Sequence, residues 1–220
     1  MSGSLEEELT RRFTTVTETV RVGESDVTLL KPRNADDLIR EDDYVKDERL
    51  PYWADVWPSS RVLADSFTSE VGNGRTMLEL GCGLGLVTIA AMQAGFTVTA
   101  TDYYDDALLF TRLNAHRATG REPITRMVNW RELPRDLGRF DLVVACDVLY
   151  ENPNAELVAD AMVQCLATGG TAIMADPGRI AIDEFLDACA AREFQRVETV
   201  ERKFAVGEKE QTIRIYRMAW

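Results

Sequence analysis

Two carboxylates bracket three glycines in this chain. The run is Met77-Leu78-Glu79-Leu80-Gly81-Cys82-Gly83-Leu84-Gly85-Leu86, and Asp102 follows 21 residues after Gly81. An apolar stretch that reads as a buried strand stops at Glu79–Leu80. The glycines alternate, and a helical pattern opens at Leu86, Ile89 and Ala90 and continues to Gln93. A strand, a glycine-rich turn and a helix start in that order cradle a nucleotide-like ligand. Glycine admits φ > 0 and lets a ligand lie against bare backbone, and a helix start offers unpaired N–H groups to an anion. A dinucleotide loop sets its third glycine three places after the second. Here it comes two places after, with Leu at 86. Asp102 ends the next apolar strand (Phe96, Val98, Ala100), where an open parallel sheet sets a carboxylate for ribose hydroxyls.

Four further groups stand where a strand or an arm ends. Tyr52-Trp53 and Trp57-Pro58-Ser59-Ser60 precede the glycine loop, Asn129-Trp130 closes a short strand at 124–128, and Asp147-Val148-Leu149-Tyr150 follows a buried run from Phe140. Asp176-Pro177-Gly178-Arg179 follows a strand at 171–175. Each also has a structural reading. The tryptophans at 53 and 57 plug a core beneath an N-terminal arm, and Trp130 covers a sheet edge. Asp147 caps the helix before Pro153, and Pro177-Gly178 makes a routine turn.

The pattern acid-x-Gly-x-Gly-x-Gly over 79–85 resembles motif I of the class I (seven-strand) S-adenosylmethionine-dependent methyltransferases. Tyr-Trp-x-x-x-Trp-Pro-Ser upstream and Asp-x-x-Tyr at 147–150 are similar to signatures of its protein-methyltransferase branch, which holds METTL21-like enzymes and the electron-transfer-flavoprotein β-subunit lysine methyltransferase. Asp-Pro-Gly-Arg at 176–179 resembles the flavoprotein subgroup. The resemblance covers roughly residues 50–220 and implies S-adenosylmethionine as cofactor and S-adenosylhomocysteine as product, while the residues themselves give no expectation of a metal. It implies a cofactor site formed by Trp57, Glu79, Gly81, Cys82, Gly83, Gly85, Asp102, Tyr103, Asn129, Trp130 and Asp147, with Asp147 and Tyr150 as catalytic residues.

The reaction so implied is an in-line displacement in which a nucleophile attacks the sulfonium methyl. The protein then supplies alignment and exclusion of water, with carboxylate or aromatic groups to face the sulfonium and orient a neutral amine. The expected substrate is a lysine of a partner protein. Rival readings are a small-molecule N- or O-methyltransferase, a non-catalytic cofactor-binding protein, and a nicotinamide-dependent oxidoreductase, the last disfavoured by Leu86 and the absence of a Tyr-x-x-x-Lys pair. His116 falls mid-helix and is not expected to act as a base.

The elements that must hold these residues alternate strand and helix from Thr76 to Ala191, which predicts a Rossmann-like, doubly wound, mostly parallel α/β sheet. Helix 155–166 is expected to end at Gly169-Gly170, before the strand at 171–175. Helix 182–191 precedes two alternating segments, 194–204 and 211–218, with a turn between them and no helix, so an antiparallel edge should close the seven strands. Upstream, residues 4–13 read as a short helix and Thr19–Val22 with Val27–Leu30 as a hairpin around Gly23-Glu24. The charged stretch 34–47 reads as a surface helix and loop. Residues 1–49 are thus an N-terminal extension and 50–220 the methyltransferase domain.

At 220 residues, 45% of them hydrophobic, the chain suits one well-buried domain. A formal charge of −12 argues against nucleic-acid binding, which needs clustered Lys and Arg, and suits a basic partner or solubility. No apolar run reaches membrane-spanning length and the N-terminus lacks a signal-peptide pattern. Cys82, Cys146, Cys165 and Cys189 have no C-x-x-C spacing, so a zinc site is not expected, and they read as buried thiols of the cytoplasm.

Overall fold

A computed structural model describes residues 2–38, 50–206 and 209–220. Helix α1 (Ser2–Arg12) leads into β1 (Thr15–Val22) and β2 (Ser25–Pro32), an antiparallel hairpin turning at Gly23-Glu24. Then come α2 (Pro58–Ser66), β3 (Thr76–Leu80), α3 (Leu86–Gln93), β4 (Thr97–Asp102), α4 (Asp105–Thr119) and β5 (Ile124–Met127). The second half holds β6 (Phe140–Cys146), α5 (Pro153–Cys165), β7 (Leu166–Asp176), α6 (Ile182–Ala191), β8 (Gln195–Val206) and β9 (Lys209–Ala219).

The main sheet has seven strands in the order β5-β4-β3-β6-β7-β9-β8, parallel from β5 to β7. The chain builds outward from β3 to β5, then returns to lay β6 on the other side of β3. The strand order therefore reverses between β3 and β6, the place where open α/β sheets leave a crevice at their carboxyl ends.

Alternation along the strands splits the core in two. Met77, Leu142, Val144, Ile173 and Ala175 face one side with Val62, Ile89 and Phe110 of α2, α3 and α4. Leu78, Leu80, Val143, Ala145 and Met174 face the other with Val158, Met162 and Phe185 of α5 and α6. A period of two on strands buried on both faces gives near-continuous apolar runs, which is how β3 and β6 read. α3 is buried from Leu86 to Met92, and a helix apolar all round must lie inside.

The N-terminal layer joins the first of these cores: Leu9, Val20, Val22, Val27, Leu29 and Leu30 pack in the same cluster as Leu63, Phe67 and Phe110. Asn114, buried in the middle of α4, fixes the joint. Its Oδ1 accepts from Leu30 N at 2.8 Å, and its Nδ2 donates to Leu30 O and to Leu84 O, both at 3.0 Å. One amide thus ties the hairpin to the glycine loop.

One expectation is corrected. α5 ends at Cys165 and β7 begins at once, so Gly169-Gly170 do not end a helix. They lie in a bulge, between the pairs Phe140↔Leu166 and Leu142↔Thr171. A Cβ on Gly170 would come within 2.9 Å of Asp141 O. The expected antiparallel edge is present: the last two strands pair antiparallel, with β9 inserted between β7 and β8 and β8 outermost. The stretch 34–47 contributes a short 3-10 turn, Asp36–Leu38, and from residue 39 onward it lies outside the described residues. Among the described residues no helix is long and apolar enough to cross a membrane.

Candidate active site

One pocket opens at the carboxyl ends of β3, β4 and β6, and every residue expected in the cofactor site or as catalytic, except Gly85, lines it. Its floor is the glycine loop. Gly81, Gly83 and Gly85 have φ of 75°, 53° and 84°, a region costly to other L-residues. At Gly85 space also forbids a side chain, since a Cβ would sit 2.9 Å from Thr111 Cγ2 on α4. So Gly85 packs the loop onto α4, while Gly81 bares its backbone to the pocket: its nearest neighbours there are Val148 and the Trp130 ring. The loop leaves β3 with Gly81 N and Cys82 N both donating to Thr101 O at 2.9 Å.

Asp102 ends β4 beside this loop. One carboxylate oxygen accepts from Gly83 N at 2.9 Å and the other from Tyr104 N at 3.0 Å. Burial raises its pKa, against the pull of those backbone donors. A carboxylate offers about four acceptor positions, more than these backbone donors fill, so capacity remains for a ligand hydroxyl. Glu79 lies deeper. Burial pushes its pKa up to about 8, opposed by the Thr88 hydroxyl that donates to it and aided by the nearby Asp102 charge. At neutral pH Glu79 is therefore mostly protonated in the ligand-free protein.

The side wall comes from the edge strand. After β5 the chain makes a short 3-10 turn, Trp130–Glu132, capped by Asn129, whose Oδ1 accepts from Arg131 N at 3.1 Å. The turn brings the Trp130 ring to the glycine loop beside Gly81, where it lines the pocket. Cys82 is buried under the loop, with Thr111 Oγ1 3.4 Å from its sulfur, and Tyr103 stands half-exposed at the rim.

The mouth is aromatic. Trp57 precedes Pro58, which forces it extended and lets Pro58 open α2. Its Nε1 donates to Tyr52 O at 2.8 Å. The Tyr52 ring lies 5.9 Å from the Trp57 ring and 4.9 Å from the Tyr150 ring. Burial raises the Tyr150 pKa, so its phenol keeps its proton. Trp53, by contrast, is a core residue packed on Phe110 and Phe13 at 5.6 and 6.5 Å, though it also touches the pocket.

Asp147 sits just past β6 with φ 56°. This turn aims its carboxylate away from α5, whose N-cap is Asn152, and toward α2. Oδ2 accepts from Ser59 N at 3.1 Å, which places a negative charge at a helix start. Oδ1 accepts from Arg179 Nε at 3.0 Å and Nη2 at 2.9 Å. Arg179 in turn lies over the Trp57 ring, 5.1 Å from its centroid, a cation–π distance. Its own backbone is set by Asp176, whose Oδ1 accepts from Gly178 N and Arg179 N at 2.7 Å each. The Asp176–Arg179 turn is thus an arm that reaches Asp147 and Trp57.

Sequence reasoning named Tyr52 only as part of a signature and left Arg179 without a role. The available signal for Tyr52 was its place in that same aromatic pattern. Arg179 had no local signal, since it meets Asp147 from 32 positions away. His116 lies in the last turn of α4 and does not line the pocket.

Solved methyltransferases share this architecture. Magnesium protoporphyrin IX methyltransferase of Synechocystis aligns with a TM-score of 0.57 over 72% of this chain and 77% of that one, at 16% identity. An N-methyltransferase of Bradyrhizobium japonicum aligns at 0.56 over 74% and 98%, at 18% identity. The fold is that of the class I S-adenosylmethionine-dependent methyltransferases. A family profile described as lysine methyltransferase matches residues 47–189, and the chain belongs to that family. Among curated relatives, the electron transfer flavoprotein beta subunit lysine methyltransferase of Danio rerio is 30% identical over 138 residues, 61% of this chain and 53% of that protein. Its Xenopus laevis counterpart is 33% identical over 135 residues, 59% and 53%. The protein-lysine methyltransferase METTL21E of Mus musculus is 32% identical over 118 residues, 48% of each. The chain spans about half the length of these curated relatives.

Proposed function

We propose that this chain is an S-adenosylmethionine-dependent methyltransferase acting on lysine amines of a partner protein. The observation that carries the proposal is the shape of one pocket: a nucleotide-fitting floor of bare glycine backbone and Asp102, continuous with a mouth of three aromatic rings beside Asp147. The cofactor fits the residues present, because Gly81 keeps clear a space that a Cβ would narrow against Val148 and because Asp102 keeps acceptor capacity free. When bound, it supplies a methyl group already activated on a sulfonium.

The chain does the rest. Glu79, Gly81, Gly83, Asp102, Tyr103, Asn129 and Trp130 would hold the nucleoside and amino-acid portions, with Cys82 beneath and Gly85 setting the loop. Tyr52, Trp57 and Tyr150 would sheathe the alkyl stem of a lysine and exclude water, which favours the neutral, nucleophilic amine. Asp147 spends both carboxylate oxygens on Ser59 N–H and Arg179, so its role is to hold Trp57 and α2 in place. Residues 50–220 form the catalytic domain in this reading, with 1–49 as an N-terminal extension whose hairpin is tied to α4 through Leu30 and Asn114. The acidic surface favours a basic protein surface over nucleic acid, and four unpaired cysteines fit the cytoplasm.

Incubation with labelled cofactor and a lysate of the source organism should label protein lysines. The Asp147→Asn variant should lose nearly all transfer while keeping cofactor affinity, since an amide cannot accept from Arg179 and Ser59 N together without turning a donor on one of them. Label confined to small molecules would move the assignment to a small-molecule methyltransferase. An Asp147→Asn variant as active as the wild type would remove Asp147 from the site.

A further inference from the structure

The arm that ends in Arg179 has a second side. There a groove runs between the Gly178–Arg179 turn, the first turn of α6 and the outer strands β8 and β9. Arg179, Arg196 and Arg214 line it with Asp183, Glu201 and Tyr216. In a chain where acidic residues outnumber basic ones by 37 to 25, three guanidinium groups around one groove reverse the general balance. Two have partners: Arg179 holds Asp147, and Arg214 Nε donates to Glu201 at 2.8 Å. Arg196 makes no ion pair among the described residues.

Arg196 reaches this groove because of a bulge. Strand β8 pairs Arg196 with Met218 but Glu198 with Arg217, so Val197 is an extra residue, and it stands exposed. On a regular strand residues 196 and 199 would point to opposite faces. The extra residue brings Arg196 onto the same face as Thr199 and Glu201, opposite Tyr216 and Arg214, and bulges often re-aim a side chain in this way.

The groove and the cofactor pocket lie back to back: Asp147 and Trp57 line the pocket, and Arg179, which contacts both, lines the groove. We propose that the groove is a docking subsite for a carboxylate side chain of the substrate protein, close in sequence to the target lysine and held by Arg196. This rests on the lysine-transfer reading above. A lysine entering at Tyr52, Trp57 and Tyr150 would leave its neighbours about three residues away, roughly 10 Å of extended chain, to cross from pocket to groove and meet Arg196. Arg–carboxylate pairing suits such a contact because the guanidinium is always charged and can donate two parallel bonds.

The test uses labelled peptides with a central lysine and Glu, Gln or Lys about three residues to either side, read by fluorescence anisotropy against the full chain with cofactor. The Glu peptide should bind wild type about tenfold more tightly than the Gln peptide, the value of one charge-assisted bond. Arg196→Gln should erase the difference and Arg196→Glu should favour the Lys peptide, with thermal stabilisation by cofactor unchanged in both. Equal or undetectable binding of the Glu and Gln peptides, a wild-type preference for the Lys peptide, or a Glu preference that survives Arg196→Glu would overturn the proposal. Methyl transfer is scored separately: a Glu preference without transfer would sink the lysine-transfer reading and leave the groove standing.

Discussion

At the scale of single residues, the two carboxylates that flank the glycines do different work. Glu79 and Asp102 were legible as a pair from spacing alone, but their protonation was not, because it depends on burial that a sequence does not display. Glu79 carries a folded-state pKa of about 8 against an ordinary 4.5. The folded protein then keeps a proton that the unfolded chain releases, so this contribution to stability is present at low pH and is lost as pH rises through about 8. Glu79→Gln removes the titration. Ligand-free wild type should therefore lose more melting temperature between pH 5.5 and 8.5 than Glu79→Gln does, a difference that differential scanning fluorimetry would read. Parallel curves would mean that Glu79 is already ionised. Asp102→Ala should weaken cofactor binding by about one to two decades, the value of a charged hydrogen bond. It should also lower the melting temperature, because Gly83 N and Tyr104 N lose their acceptor. Calorimetric titration gives the first effect, and an unchanged affinity would move the ribose contact elsewhere.

At the scale of elements, periodicity located nearly every strand and helix, and the failures share a cause. Gly169-Gly170 carried the composition of a helix end, yet they sit in a bulge of β7 where Asp141 O leaves no room for a Cβ at Gly170. The bulge at Val197 left no mark in the alternation at all. Bulges are set by the partner strand, so a pattern read along one strand misses them. The same applies to Asn114, which reads as one polar position on an amphipathic helix but joins α4, β2 and the glycine loop through three bonds. Asn114→Leu would strand Leu30 N, Leu30 O and Leu84 O in the interior. It should cost about 2–4 kcal/mol of stability in urea denaturation, where a solvated polar residue would cost under 1. Cofactor affinity should fall with it, since Leu84 lies between two loop glycines, and loss of stability alone would uncouple hairpin from loop.

At the scale of the molecule, the sheet order separates the two halves of the site in time as well as in space. The cofactor floor and its walls come from β3, β4, β5 and β6, all parallel and all complete by residue 150. The groove needs Arg196 from β8 and Arg214 from β9. Within the sheet β8 bonds to β9 and not to β7, so until β9 is present β8 has no strand to pair with. A chain leaving the ribosome can shape its nucleoside pocket while the outer third of the sheet is still a free strand, and the last strand made is the one that slots between two earlier ones. Completion of the described sheet therefore waits on β9, which alone joins β8 to β7. In synthesis order, then, the residues that line the glycine-loop pocket all precede Arg196 and Arg214 of the groove.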